Sequence, residues 1–249
     1  MAVASYEPVN KLRFVTATTL FDGHDASINV FRRMLQASGA EVVHLGHNRT
    51  GTDIVDTAVE EDAQAIAVTS YQGGHMEFFR YLRDLLVAAE RPEVRVFGGG
   101  GGTILPAEGA ELMAYGVTRI YSPDDGRELG LQGMVNDMLA QADYPTGALE
   151  EPIEVAHADR GTLGRLISAA ENWPEKYQDL FDDLSSQASK LEVPVIGVTG
   201  TGGSGKSSLV DEVMRRFLVD FPERRVAMIS VDPSKRRTGG ALGDRLHHE

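Results

Sequence analysis

From Lys11 onward, short β-branched runs alternate with longer stretches in which apolar residues recur every three or four positions. The short runs predict strands at residues 12–18, 41–44, 65–69, 94–97 and 119–121, each followed by a helix. Ile28, Phe31, Met34 and Leu35 fall on one face of the first helix, and Phe78, Phe79, Leu82, Leu85 and Leu86 on one face of the third. Both stripes read as core. Successive βα units without an internal repeat predict a parallel, doubly wound sheet covered by helices, over residues 1–145.

The pattern then changes. Residues 141–152 are rich in Asp, Glu, Pro and Gly and mark a boundary. Beyond it, Leu163, Leu166, Ile167 and Ala170 precede Trp173 and Pro174, and Tyr177, Leu180, Phe181 and Leu184 follow. This predicts a helical linker over residues 146–192, divided at Pro174 and packed on both of its neighbours. Asp179, Asp182 and Asp183 read as a solvated face. Residues 193–249 open a second α/β domain, with strands at 193–198 and 225–231 and a helix carrying Leu209, Val213 and Phe217.

The turn between that first strand and its helix carries chemistry. Gly200, four intervening residues, then Gly205, Lys206 and Ser207 fit G-x-x-x-x-G-K-[ST] in the strand–loop–helix context the motif requires. Gly200, Gly202, Gly203 and Gly205 let the backbone wrap phosphate oxygens, while amides at the helix start, from Gly203 and Ser204 to Ser208, favour negative charge. Lys206 is expected on the β and γ phosphates and Ser207 on Mg²⁺. Asp232, at the end of the later strand, is placed to hold the metal's water or an attacking water.

Composition narrows the partners. A net charge of −13 argues against a nucleic-acid surface without excluding a locally focused phosphate site. With no cysteine, disulfides, thiolate metal sites and cysteine nucleophiles drop out, and a cytoplasmic setting is expected. No stretch approaches the roughly 18 apolar residues of a membrane helix.

Doubly wound sheets bind ligands beyond the carboxyl ends of their strands. After the first strand stand Asp22, Gly23, His24, Asp25, Ala26 and Ser27. A histidine two residues from a carboxylate can give one ring nitrogen to a metal and the other to that carboxylate, although a surface histidine in a turn would look the same. After the third strand come Thr69, Ser70, Tyr71, Gln72, Gly73, Gly74 and His75; after the fourth, five consecutive glycines that include Gly100, Gly101 and Gly102. Such a run admits close approach of a flat or tail-like ligand, as against a merely flexible turn.

Asp22-x-His24, Thr69-x-Tyr71 and the glycine run together resemble D-x-H-x-x-G, S-x-L and G-G of the cobalamin-binding domain of B12-dependent mutases, a flavodoxin-like fold. The resemblance implies that His24 is the lower axial ligand of cobalt in adenosylcobalamin, with Asp22 behind it. It also implies that Thr69, Gly100 and Gly101 line the slot for the displaced nucleotide tail, closed by the segment containing Ser122. Ser27, Thr69 and Tyr71 stand where the family has glycine, serine and leucine. Asp232-Pro233-Ser234, Thr238-Gly239-Gly240 and Gly243-Asp244-Arg245 resemble the G-protein chaperones of acyl-CoA mutases, in which such aspartates serve Mg²⁺ and the nucleotide switch. Lys235, Arg236 and Arg237 between them suit either phosphate or plain solvent.

The order of parts resembles the N-terminal portion of fused B12-dependent acyl-CoA mutases. It implies GTP/GDP with Mg²⁺ at the P-loop, an acyl-CoA substrate on a barrel outside this chain, a homodimer, and an adenosyltransferase as donor of cobalamin. The P-loop domain is expected to be incomplete at residue 249, before any base-reading motif. Two other readings stay open: a non-catalytic cobalamin carrier or sensor with a nucleotide switch, and a P-loop kinase or ATPase fused to a receiver-like domain.

Overall fold

A computed structural model describes residues 3–149 and 158–230. The chain divides into two compact units, residues 1–178 and 179–249.

In the first unit, strands β1 (Arg13–Thr19), β2 (Glu41–Arg49), β3 (Ala65–Thr69), β4 (Arg95–Gly99) and β5 (Arg119–Tyr121) form one parallel sheet in the order β2-β1-β3-β4-β5. Helices α1 (Ala26–Ala37), α2 (Gly51–Glu60), α3 (His75–Ala88), α4 (Pro106–Tyr115), α5 (Pro123–Glu128) and α6 (Gly130–Ala142) connect the strands and cover the sheet. The doubly wound expectation is met. β2 runs on to Arg49 instead of ending at His44; as an edge strand it needs only one ladder, and its polar tip is solvated. The strand order reverses between β1 and β3, the place in a doubly wound sheet where ligands bind beyond the carboxyl ends of the strands.

The period-two alternation of β1 explains the two cores. Val15 and Ala17 face Ile54, Phe79, Leu82 and Leu112, whereas Phe14 faces Ile28, Leu35, Val135 and Leu139. Phe14 stacks on Phe97 of β4, centroids 6.3 Å apart. Each fully buried aliphatic or aromatic side chain of this kind contributes about 1.5–3 kcal/mol. Along the predicted stripe of α1, Ile28 and Leu35 are buried and Phe31 and Met34 pack at the margin.

Long-range polar ties complete the unit. Gln64 is fully buried; its Oε1 accepts from the Arg13 amide at 2.8 Å and its Nε2 donates to the Lys11 carbonyl at 2.8 Å. Asp143 accepts from the amides of Val9 (2.8 Å) and Asn10 (2.9 Å), from Asn10 Nδ2 (2.8 Å) and from the Tyr6 hydroxyl (2.9 Å). Burial pushes the Asp143 carboxyl up, but these four donors outweigh it and hold it below its ordinary value. Asp62 and Arg91 form a buried ion pair at 2.8 Å, and the second Asp62 oxygen accepts from the Gly147 amide.

The predicted linker resolves into α7 (Arg160–Asn172) and α8 (Gln178–Ala188), with Pro174 in the break. Asp159 caps α7 by accepting from the Thr162 amide at 2.7 Å. α7 lies directly on α2: a Cβ at Gly164 would stand 2.3 Å from the Glu60 carbonyl oxygen. Trp173 Nε1 donates to the Thr146 carbonyl at 2.8 Å. The front half of the linker is therefore integral to the first unit. Asp179, Asp182 and Asp183 are exposed, as their spacing predicts.

The second unit contains α9 (Lys206–Asp220), covering the predicted helix. Residues 193–198 and 225–230 form no strand, in contrast to the sequence expectation; Val195, Ile196 and Ile229 are largely exposed. Apolar β-branched composition does not suffice, because a strand exists only through a ladder partner, and none is paired with these runs among the described residues.

Candidate functional site

At the carboxyl end of β1 the chain turns tightly before α1. The Asp22 amide donates to the Thr19 carbonyl at 3.1 Å, and Gln72 Nε2 reaches across from the β3 loop to the Leu20 carbonyl at 2.7 Å. Phe21 sits in the left-handed region (φ 63°), its amide held by Asn48 Oδ1 at 2.8 Å. This turn buries the Asp22 carboxylate and leaves the His24 side chain 75% exposed.

One Asp22 oxygen accepts from the His24 amide at 2.9 Å and from His24 Nδ1 at 2.7 Å; the other accepts from the Tyr71 amide at 2.5 Å. Burial pushes the Asp22 carboxyl up, but the Tyr71 amide, the His24 amide and the His24 ring together hold it below its ordinary value. An ionised carboxylate only accepts, so Nδ1 donates to Asp22 and Nε2 is directed away from it. That is the electronic arrangement of a metal-ligating histidine with a carboxylate behind it.

The neighbouring loops converge here. The Thr69 hydroxyl pairs with that of Thr18 at 3.2 Å, and Thr19 donates to the Ser70 hydroxyl at 3.2 Å. The Ser70 amide donates to the Gly99 carbonyl at 2.8 Å, bringing the glycine run alongside. A Cβ on Gly100 would meet the Ser70 carbonyl oxygen at 1.8 Å, and one on Gly101 would lie 3.2 Å from the Tyr71 ring, while Gly23, Gly73 and Gly102 border open space. Gly74, at φ 87°, leads into α3. Ser27 and Tyr71 share a 2.5 Å hydroxyl–hydroxyl bond, and the half-exposed Asp25 stands just before α1. Ser122 caps α5, its hydroxyl engaged with Asp125.

Sequence reasoning paired Asp22 with His24 but missed three contacts. These are the Tyr71 amide on Asp22, the Ser27–Tyr71 bond, and the buried His75 ring, whose Nε2 contacts Glu108 at 3.0 Å and ties the start of α3 to the start of α4. Each depends on strand order bringing distant loops together.

These residues fit a corrinoid. A corrinoid brings most of its metal's ligands with it, so a single histidine nitrogen from the protein, here His24 Nε2, would suffice to hold it. Among the described residues no three His, Asp or Glu side chains converge to hold a metal by themselves.

In the second unit the loop before α9 folds on itself. The Ser204 amide donates to the Thr201 carbonyl at 3.3 Å, and Lys206 Nζ donates to the same carbonyl at 2.8 Å. Gly203 (φ 75°) and Gly205 (φ 81°) shape the turn, and Ser207 and Ser208 are exposed in the first turn of α9. Asp232 and Asp244 lie outside the described residues.

Fold and site together define a doubly wound α/β module with a carboxylate-backed histidine beyond its sheet, followed by a loop of P-loop sequence. Residues 12–130 match the family model of the B12 binding domain, and residues 163–249 that of the methylmalonyl Co-A mutase-associated GTPase MeaB. The chain is 53% identical over 250 residues, 97% of its length, to the fused isobutyryl-CoA mutase of Geobacillus kaustophilus (strain HTA426), and spans 23% of that relative. It is 32% identical over 118 residues to the pivalyl-CoA mutase small subunit of Xanthobacter autotrophicus (strain ATCC BAA-1158 / Py2), covering 47% of this chain and 77% of that one. Among solved structures, a novel cobalamin-binding protein from Desulfitobacterium hafniense DCB-2 superposes with a TM-score of 0.44 at 24% identity, over 53% of this chain and 59% of that one. Residues 12–130 belong to the B12-binding domain family, and the chain as a whole is similar to an N-terminal part of the fused isobutyryl-CoA mutases.

Proposed function

We propose that this chain is the cobalamin-binding and GTPase-chaperone portion of an adenosylcobalamin-dependent acyl-CoA mutase, one that interconverts isobutyryl-CoA and n-butyryl-CoA. The observation that carries the reading is the His24 imidazole, tied through Nδ1 to buried Asp22 and exposed on its other side. Bound adenosylcobalamin supplies the radical chemistry of a carbon-skeleton rearrangement. Asp22 holds a proton on Nδ1 of His24, so that Nε2 would be the atom to hold cobalt. Gly100 and Gly101, packed against the Ser70 carbonyl and the Tyr71 ring, shape the β4 loop, and Gly102, Gly73 and Gly74, which border open space, would face the nucleotide tail beside Ser122.

In the second unit, Lys206 exchanges the Thr201 carbonyl for nucleotide phosphate, and Ser207 takes Mg²⁺, with Asp232 and Asp244 assigned to the metal on their motifs alone. GTP binding and hydrolysis gate cofactor loading. The reading extends to an acyl-CoA barrel outside this chain, a homodimer and delivery of cobalamin by an adenosyltransferase, each suggested by the resemblance, and to a cytoplasmic setting, suggested by the absence of cysteine.

An ultraviolet–visible titration of adenosylcobalamin into the chain and into His24→Ala tests this. A red shift on displacement of dimethylbenzimidazole in the parent, absent in the variant, is expected. An unchanged spectrum and affinity in the variant would overturn the axial assignment.

A further inference from the structure

Two side chains from different loops meet beside the Asp22–His24 pair: the hydroxyls of Ser27 and Tyr71 lie 2.5 Å apart. Tyr71 is also fixed at its backbone, where its amide donates to the Asp22 carboxylate that holds His24. The Tyr71 ring then stands against the imidazole, centroids 5.8 Å apart and planes tilted by 49°. Asp22, His24, Tyr71 and Ser27 thus close a loop of contacts running from β1 through the β3 loop to the first turn of α1.

One hydrogen bond at Nδ1 leaves the imidazole free to swing about that bond, and a side chain this exposed has little else to stop it. A ring packed against it at a tilt removes the swing only if that ring is itself held. Leucine at position 71 offers no group for α1 to hold, whereas tyrosine does, and Ser27 supplies the acceptor or donor. We propose that Tyr71, hooked by Ser27, is a positioning residue that fixes the plane of the His24 ring before any ligand arrives. The proposal rests on the reading of His24 as the cobalt ligand, and it assigns Ser27 and Tyr71 a single joint role.

The test uses the whole chain with Ser27→Ala, Tyr71→Phe, their double variant and Ser27→Thr. In the ligand-free protein, nuclear Overhauser contacts between the His24 and Tyr71 rings report the positioning without any cofactor. They are expected to weaken in Ser27→Ala and Tyr71→Phe and to persist in Ser27→Thr, which keeps the hydroxyl. Cobinamide, which has no base or tail of its own, reports axial ligation by the protein. Its affinity is expected to fall about three- to tenfold in each single variant, the loss of one hydrogen bond, and no further in the double variant.

Full ring contacts and wild-type cobinamide affinity in Ser27→Ala and Tyr71→Phe would overturn the proposal, as would additive losses in the double variant. Failure of the parent chain to bind cobinamide would overturn the corrinoid reading and, with it, the role given to the pair. Parent binding with unchanged variants would overturn the positioning role alone.

Discussion

The Ser70 carbonyl oxygen occupies the space a side chain on Gly100 would need: a Cβ there would stand 1.8 Å away. The β3 and β4 loops are in backbone contact at that point, and neither can yield without breaking the Ser70–Gly99 hydrogen bond. Gly100→Ala is expected to destabilise the first unit by about 1–3 kcal/mol, the usual result of overpacking, and to abolish corrinoid binding. Gly102→Ala, with open space around it, should melt like the parent. Thermal unfolding of both variants beside the adenosylcobalamin titration separates the two effects.

Acid should loosen the amino-terminal segment. The Asp143 carboxyl is held below its ordinary value of 3.8, so its contribution is fully present above that value and is lost as pH falls through its depressed value in the fold. Asp143→Ala is expected to cost about 2 kcal/mol at neutral pH, as for hydrogen bonds to a charged acceptor. Its unfolding free energy should also fall less steeply than the parent's between pH 5 and 2, about the range of such a loss. Denaturant unfolding across that range checks both.

Gly164 offers a test of how α7 is attached. A methyl group there would press on the Glu60 carbonyl at 2.3 Å, so Gly164→Ala should cost about 1–3 kcal/mol despite the better helix propensity of alanine. An exposed position such as Arg165 serves as the control, where substitution by alanine should change stability by less than about 0.5 kcal/mol. Chemical denaturation of the two variants decides.

The phosphate loop predicts a sharper loss. Lys206→Ala removes the cation whose ammonium now rests on the Thr201 carbonyl, and GTP affinity is expected to fall at least 100-fold. Adenosylcobalamin binding by the first unit should be unchanged. Calorimetric titration of GTP with Mg²⁺, run beside the spectroscopic one, measures each.

The sheet was legible because β-branched runs and apolar stripes report burial directly: every predicted strand of the first unit forms, and Phe79, Leu82 and Leu86 are buried as their spacing requires. The pairing of Asp22 with His24 was also legible, since it lies within three residues. The Tyr71 amide on Asp22 was not, because it joins residues 49 apart through a strand order that no local pattern encodes. At residues 193–198 the same β-branched signal misled, since composition states that a segment suits a ladder without stating that a partner is present.

The Asp143 clamp also sets a schedule. Its partners, Tyr6, Val9 and Asn10, precede it by more than 130 residues. At ribosomal rates of about 5–20 residues per second, the first strand must wait on the order of ten seconds before its leading segment can be pinned. The segment that leads into β1 is thus translated early yet pinned late. A nascent chain halted before Asp143 should carry the sheet's opening strands without the anchor at their amino end.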